Sequence, residues 1–327
     1  MARRGWDVRA AASGDPDDTV PMGQIPSRAA GARTRPPATR LAVALIVSIA
    51  AVTGVGIGGW MALRPPDYPK AGETGIFNHV GRHFTIFRFR DDPLILVIDC
   101  PDLRAQGLMF DRIAALIEKA STPRNRVLGE AAFRKVLAKA NATEATYYYG
   151  NDYPAWALRK FFRLAHAEGI RLTADERRLR EIARREGFLR PGANGAVISI
   201  PQAQGSRRIS WVSRAVILRH ELSHGAYFTI PSYRRFVHRF YDTQMTPSEQ
   251  AAFRSFLIRD GYDPHDRDLI VNETIAYMVF TRDPDYFNAQ AVGLTDAQLA
   301  SLRQRFVAQM PHFWLRPMAD APLPAHR

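Results

Sequence analysis

The chain has 327 residues and a formal net charge of +13, and 46% of its residues are hydrophobic. This length and apolar content allow one large or two small hydrophobic cores and exclude wholesale disorder. The single cysteine, Cys100, excludes an internal disulfide and a zinc site built from cysteines. No nucleic-acid-binding module accompanies the basic charge, so we expect no nucleic-acid partner and interpret the charge as a solvated basic surface.

The first 74 residues are predicted to lie outside the folded domain. Residues 1–40 are rich in Ala, Arg, Gly and Pro with little apolar periodicity, which predicts a disordered basic tail. Residues 41–63 carry no charge and are numerous enough to cross a bilayer as one helix. A cleaved signal peptide is the alternative, and the long leader and long apolar run disfavour it. Prolines in residues 64–74 predict a short, stiff linker.

The charges before the apolar run predict its orientation. Seven arginines and four aspartates precede residue 41. An excess of positive charge marks the cytoplasmic side of a membrane helix. The sequence therefore predicts a single-pass membrane protein with a cytoplasmic N-terminus and an extracytoplasmic folded domain, which would be periplasmic in a bacterium.

The folded domain is predicted to span residues 75–310. Residues 83–90 and 93–99 are apolar or alternating around Asp91-Asp92-Pro93, which predicts a β-hairpin. Residues 196–200 form a second β-prone run. Helical spacing of apolar residues predicts helices at 103–119, 130–140, 155–167, 174–186, 212–227, 232–241, 247–260, 266–281 and 295–308.

A small β element with many helices predicts an α+β domain that is mostly helical. Its first part, residues 75–125, is the expected region of substrate or partner recognition, and residues 195–281 are the expected core of the functional site. Residues 311–327 are predicted to be an irregular tail.

The motif His220-Glu221-Leu222-Ser223-His224 lies within the predicted helix 212–227. Positions i and i+4 share one helix face, so His220 and His224 can bind one metal ion. Glu221 can reach a water molecule on that metal and take its proton. Zn²⁺ suits two nitrogens and a carboxylate with an open fourth position, and it lowers the pKa of a bound water to about 7. The alternative is a pair of ordinary helix histidines.

Glu273 is the predicted third ligand. It lies in an apolar stretch, residues 269–280, where a carboxylate is costly unless it meets a metal ion or a buried arginine. A histidine ligand at position 230 is excluded because Ile230 is there, and Glu249 fits a helix start better. Tyr277, one turn after Glu273, is a candidate catalytic donor to a developing oxyanion, with core packing as its alternative.

The HExxH motif on one helix with a glutamate on a later helix resembles the gluzincin branch of the zinc metallopeptidases, over roughly residues 195–281. The resemblance implies a zincin-like fold with an edge strand beside the cleft, for which residues 196–200 are the candidate. It implies His220, His224 and Glu273 as Zn²⁺ ligands and Glu221 as the general base. The chain departs from familiar members in its long gap between His224 and Glu273, and in having Tyr277 where some members have an acidic residue.

The sequence thus predicts a membrane-anchored, zinc-dependent hydrolase of the metallopeptidase type that acts on a peptide or protein. Two alternatives stay open. One is a non-catalytic, zincin-like binding module at the cell envelope, which the intact Glu221 disfavours because a scaffold needs no general base. The other is a processing or regulatory protease of narrow specificity.

Overall fold

A five-stranded mixed sheet organises the residues that the computed structural model describes, 67–203 and 209–326. The spatial order of the strands is β1-β2-β3-β5-β4. The strands β2 and β3 form the antiparallel hairpin that the sequence predicts, β5 is parallel to β3, and β4 is antiparallel to β5 at one edge. The strands are β1 (Lys70–Ala71), β2 (Thr85–Phe89), β3 (Ile95–Cys100), β4 (Asn151–Pro154) and β5 (Ala196–Pro201).

Eleven α-helices accompany the sheet in the described residues. Helix α9 is unusual because it passes directly into a π-helical turn, Ala276–Phe280. The helices are α1 (Glu73–Phe77), α2 (Leu103–Ile117), α3 (Glu130–Lys139), α4 (Ala155–Ala167), α5 (Ala174–Arg185), α6 (Trp211–Thr229), α7 (Pro231–Gln244), α8 (Pro247–Arg259), α9 (Arg267–Ile275), α10 (Asp296–Gln309) and α11 (Arg316–Asp320).

The two central strands are buried on both faces, which explains their continuous apolar sequences. Successive side chains of a strand point to opposite faces. In β3, Leu96 and Ile98 therefore pack with helices α2 to α5, while Ile95 and Val97 pack with α1 and α6. The sheet is covered by helices on both sides, and β5 lies in its interior.

Helix α6 lies between the sheet and a second helical layer formed by α7 to α11. Its N-terminus is capped by Ser210, whose side chain accepts a hydrogen bond from the Ser213 amide. Gly225 permits its close approach to the sheet, because an added Cβ would stand 2.8 Å from Cδ1 of Ile95. The helix that carries the HExxH motif is therefore held between the sheet and the second helical layer of the described residues.

The predicted fold class, a mostly helical, zincin-like α+β domain with a small sheet, is wrong. The described residues form a mixed α/β arrangement with five strands and eleven helices. The sequence underestimated the sheet because β1 and β4 have only two and four residues, too few for an alternating pattern to be visible. Among the described helices, none has the length and apolar character needed to cross a membrane, and residues 41–63 lie outside the described part.

Three further elements differ from the sequence interpretation. Residues 196–200 were expected at the edge of the sheet, but β5 is flanked by β3 and β4, and β4 is the edge strand. Lys70 and Ala71, expected in a linker, pair with β2. The expected irregular tail contains α11, and Leu315 just before it is fully buried.

Candidate metal centre

The three predicted ligands come together where α6 meets α9. The Nε2 atoms of His220 and His224 lie 3.0 Å apart, and Oε2 of Glu273 lies 3.7 Å from each of them. Two ligand atoms bound to a tetrahedral zinc ion, each about 2.05 Å from it, are about 3.3 Å apart. The spacing of these three atoms therefore fits one zinc ion with a fourth position open.

An unpaired carboxylate oxygen of Glu273 also indicates that this site could hold a cation. In the described residues, Oε2 of Glu273 is buried and has no hydrogen-bond partner. An unpaired buried acceptor costs about 1–3 kcal/mol, and more for a charged group. The alternative partner for Glu273 was a buried arginine. The described ion pairs of Glu273 are with His220 and His224 and include no arginine.

Both imidazoles are suited to metal binding because they are neutral. Burial lowers the pKa of His220 to about 3 and that of His224 to about 4. At neutral pH each ring therefore keeps a nitrogen lone pair that can bind a metal ion. On the opposite side of the His220 ring, Nδ1 lies 2.8 Å from Oγ1 of Thr281.

Glu221 projects from the same helix toward the edge strand. Its side chain packs against Gly150, where an added Cβ would stand 2.6 Å from Cδ of Glu221. Its Oε2 is buried and has no hydrogen-bond partner in the described residues. Burial, followed by the negative charges of Glu273 and Glu118, raises the pKa of Glu221 well above its ordinary value, which favours proton uptake by this carboxylate.

The edge strand brings Asp152 to the site. Its Oδ2 lies 3.8 Å from Nδ1 of His224, and carboxylate oxygens of Asp152 and Glu221 lie within 4.8 Å of each other and of that ring. Asp152 was not predicted as a site residue, because β4 has no recognisable strand pattern. Its only local signal is the Tyr-Gly-Asn-Asp turn composition before Pro154.

The free edge of β4 presents backbone groups beside Glu221. The amide of Ala155 donates to the carbonyl of Gly195, which marks these two residues as a hydrogen-bonded pair of the antiparallel ladder. Along an antiparallel ladder such pairs alternate with pairs whose backbone N–H and C=O groups point away from the partner strand. By this alternation the N–H and C=O of Asp152 point away from β5, toward the edge that no described strand occupies, whereas the carbonyl of Pro154, at the N-cap of α4, accepts the first hydrogen bond of that helix.

A second group of buried ionisable residues, Glu118 and Lys119, interacts electrostatically with Glu273, and it was not predicted from the sequence. Burial and the negative charge of Glu273 raise the pKa of Glu118 to about 7. The ammonium of Lys119 donates to the carbonyl of Asp260 at 2.9 Å and lies 4.5 Å from the ring centroid of Tyr148. The two residues are adjacent at the end of α2, and no local pattern indicates that they approach α9.

The ring of Tyr277 contacts the predicted ligand His220, but its hydroxyl is directed toward Asp260. Its ring packs edge-to-face on His220 with centroids 4.9 Å apart, and its hydroxyl lies 3.4 Å from Oδ2 of Asp260. Nε2 of His238 is 2.8 Å from both Oδ1 of Asp268 and the hydroxyl of Tyr227. None of the described contacts of His238 involves a predicted ligand.

Comparison of the chain with models of protein families, with curated proteins and with solved structures finds no match.

Proposed function

We propose that the chain is a zinc-dependent hydrolase of the metallopeptidase type, with His220, His224 and Glu273 as ligands and Glu221 as general base. The observation that supports this is the convergence of three potential ligand atoms, 3.0 to 3.7 Å apart, next to a second carboxylate, that of Glu221, whose Oε2 has no partner in the described residues. Two neutral imidazoles and one carboxylate are an established donor set for catalytic zinc.

When bound, zinc would act as a Lewis acid and lower the pKa of a water molecule to about 7. Glu221 would accept the proton of the attacking water and later deliver it to the leaving amine. Close packing against Gly150 limits where this carboxylate can lie. Burial of Glu221, His224 and Glu273 limits their contact with bulk water and strengthens the electrostatic interactions of Glu221.

The edge strand favours an extended peptide as substrate. A peptide can add to a free sheet edge through main-chain hydrogen bonds. The outward N–H and C=O of Asp152 supply one donor and one acceptor next to Glu221. Pro154 supplies no donor because proline has no N–H, and its carbonyl is used by the first turn of α4. The chain then turns into α4 at Ala155, so the pairing segment is short.

The first experiment measures the metal content of the purified full-length chain and of His220→Ala, Glu273→Ala and Glu221→Gln variants. His265→Ala is a matched control, since His265 is exposed and contacts none of the ligands in the described residues. We expect one zinc per chain, lost or weakened in the first two variants and kept in Glu221→Gln and in the control.

A peptide-library cleavage screen then separates the candidate functions. Cleavage by the wild type that is abolished in Glu221→Gln supports the hydrolase, and cleavage of a single sequence would favour a processing protease. Zinc binding without any cleavage would favour the non-catalytic binding module. Absence of zinc after zinc supplementation would overturn the proposal.

A further inference from the structure

The neutral ring of His220 must carry its one proton on a particular nitrogen if it is to bind a metal through Nε2. A neutral imidazole has one N–H and one lone pair, and the lone pair is the metal ligand. Its Nε2 is the atom that faces His224 and Glu273. The proton therefore has to reside on Nδ1, on the side of the ring away from those residues.

Nδ1 of His220 lies 2.8 Å from the hydroxyl oxygen of Thr281, within hydrogen-bond distance. This hydroxyl also donates to the carbonyl oxygen of Ala276, at 3.1 Å. A carbonyl oxygen can only accept, so the hydroxyl proton points to Ala276. The oxygen of Thr281 is then left to accept from the N–H of Nδ1.

The π-helical turn brings Thr281 to this position. The Thr281 amide bonds to the Ala276 carbonyl, five residues earlier, at 3.1 Å. A continuous α-helix would instead bond this amide to residue 277 and rotate the side chain around the axis. Thr281 is buried at the end of this turn. Single π-turns within helices occur frequently at functional sites.

We propose that Thr281 is a positioning residue of the metal centre, which holds His220 as the Nδ1–H tautomer and directs its Nε2 lone pair to the metal. The proposal rests on the proposed function for the identity of the ligands. It assigns this role for His220 alone, since Nδ1 of His224 has no hydrogen-bond partner within the described residues. A hydrogen bond of this kind orients a ligating imidazole and raises its basicity.

The test compares Thr281→Val and Thr281→Ser in the full-length protein. Valine keeps the shape of threonine and removes the acceptor, whereas serine restores the hydroxyl. Thr274→Val is the control, because Thr274 is equally buried on α9 and its hydroxyl donates to its own helix carbonyl, that of Ile270, at 2.7 Å. Two quantities are measured: the ¹⁵N NMR shifts of the His220 ring in the metal-free protein, and the zinc affinity by competition with a chelator.

We expect the wild type and Thr281→Ser to show the Nδ1–H tautomer of His220 and similar zinc affinities. Thr281→Val is expected to shift the ring toward Nε2–H and to weaken zinc binding by about 10–100-fold. Thr274→Val should change neither quantity by more than about threefold.

An Nε2–H tautomer in the metal-free wild type would overturn the role of Thr281, and so would an unchanged tautomer in Thr281→Val. Equal losses of zinc affinity in Thr281→Val and Thr274→Val would also overturn it, because both would then report a general disturbance. The tautomer is read without zinc and without substrate. If the tautomer responds as expected but the wild type binds no zinc, the proposed function fails while the contact between Thr281 and His220 stands.

Discussion

Gly150 packs directly against the carboxylate of Glu221. A methyl group added to its Cα would overlap Oε1 and stand 2.6 Å from Cδ of that side chain. Because Gly150 immediately precedes the edge strand β4, its backbone is held by the sheet and cannot easily withdraw. The orientation of the proposed general base therefore depends on a residue without a side chain, located 71 positions earlier in the chain.

Substitution of Gly150 by alanine should displace Glu221 and leave the metal ligands in place. We expect kcat to fall by at least about 100-fold, the effect of misplacing a catalytic group by about 1 Å. Zinc content should remain at the wild-type level. Gly129→Ala is the control, since an added Cβ there meets nothing within 4 Å. Comparable activity of Gly150→Ala and Gly129→Ala would refute the packing argument.

Removal of the Tyr277 hydroxyl distinguishes its two possible roles. A donor to the oxyanion would make Tyr277→Phe lose about 10²–10³-fold in kcat. The hydroxyl lies 3.4 Å from Asp260, and the ring packs on His220, so we expect kcat to stay within about threefold of the wild type. Steady-state kinetics on a peptide substrate identified by the cleavage screen decides between them. A loss of 100-fold or more would restore the catalytic assignment.

Glu118 should make the stability of the metal-free protein fall as the pH rises. Its pKa is raised from 4.5 to about 7 in the folded state, first by burial and then by Glu273. Between those values the folded chain holds a proton that the unfolded chain has released. The free energy of unfolding therefore decreases through this window, by at most about 3 kcal/mol.

Glu118→Gln removes this titration and should flatten the dependence. Urea unfolding of both proteins at pH 5 and pH 8, with a chelator present, measures the difference. Protonation of His220 and His224 in the unfolded state acts in the opposite direction, but it is common to both proteins and cancels in the comparison. Identical pH dependences would show that Glu118 ionises normally in the folded protein.

The ion pair between Arg214 and Asp99 should contribute strongly to stability. Both side chains are fully buried, with contacts of 2.8 and 2.9 Å. Arg214→Leu would leave a buried carboxylate without its cation, so we expect a loss of about 3–5 kcal/mol in the free energy of unfolding. Arg184→Leu breaks a pair with Glu181 in which both side chains are exposed, 60% and 43%, and should change stability by less than about 1 kcal/mol. Similar losses in the two variants would contradict this ranking.

The three proposed ligands could be singled out from the sequence because their geometry is local or has a strong local signature. Helical periodicity alone places His220 and His224 on one face, and Glu273 is conspicuous as a charge within an apolar helix. The hairpin of β2 and β3 and the bounds of α4 also follow from local patterns.

The supporting residues were not predictable from local patterns, because tertiary contacts decide them. Strand β4 contains Asp and Pro, which disfavour strands, and it exists through pairing with β5. Thr281 reaches His220 only because a π-turn interrupts the predicted helix 266–281. The interior position of β5 did have a signal, since its apolar residues do not alternate and so indicate burial on both faces.

The short edge strand also bears on solubility. An open sheet edge is a template for pairing with other chains, and natural proteins protect such edges with proline, charge and brevity. Strand β4 has all three, since it consists of four residues that include Asp152 and Pro154. An edge that can pair with an extended peptide, as we propose for β4, can also pair with the β-strands of other copies of the chain. The residues that limit how much of a peptide can pair with β4 are thus the same ones that discourage self-association into aggregates.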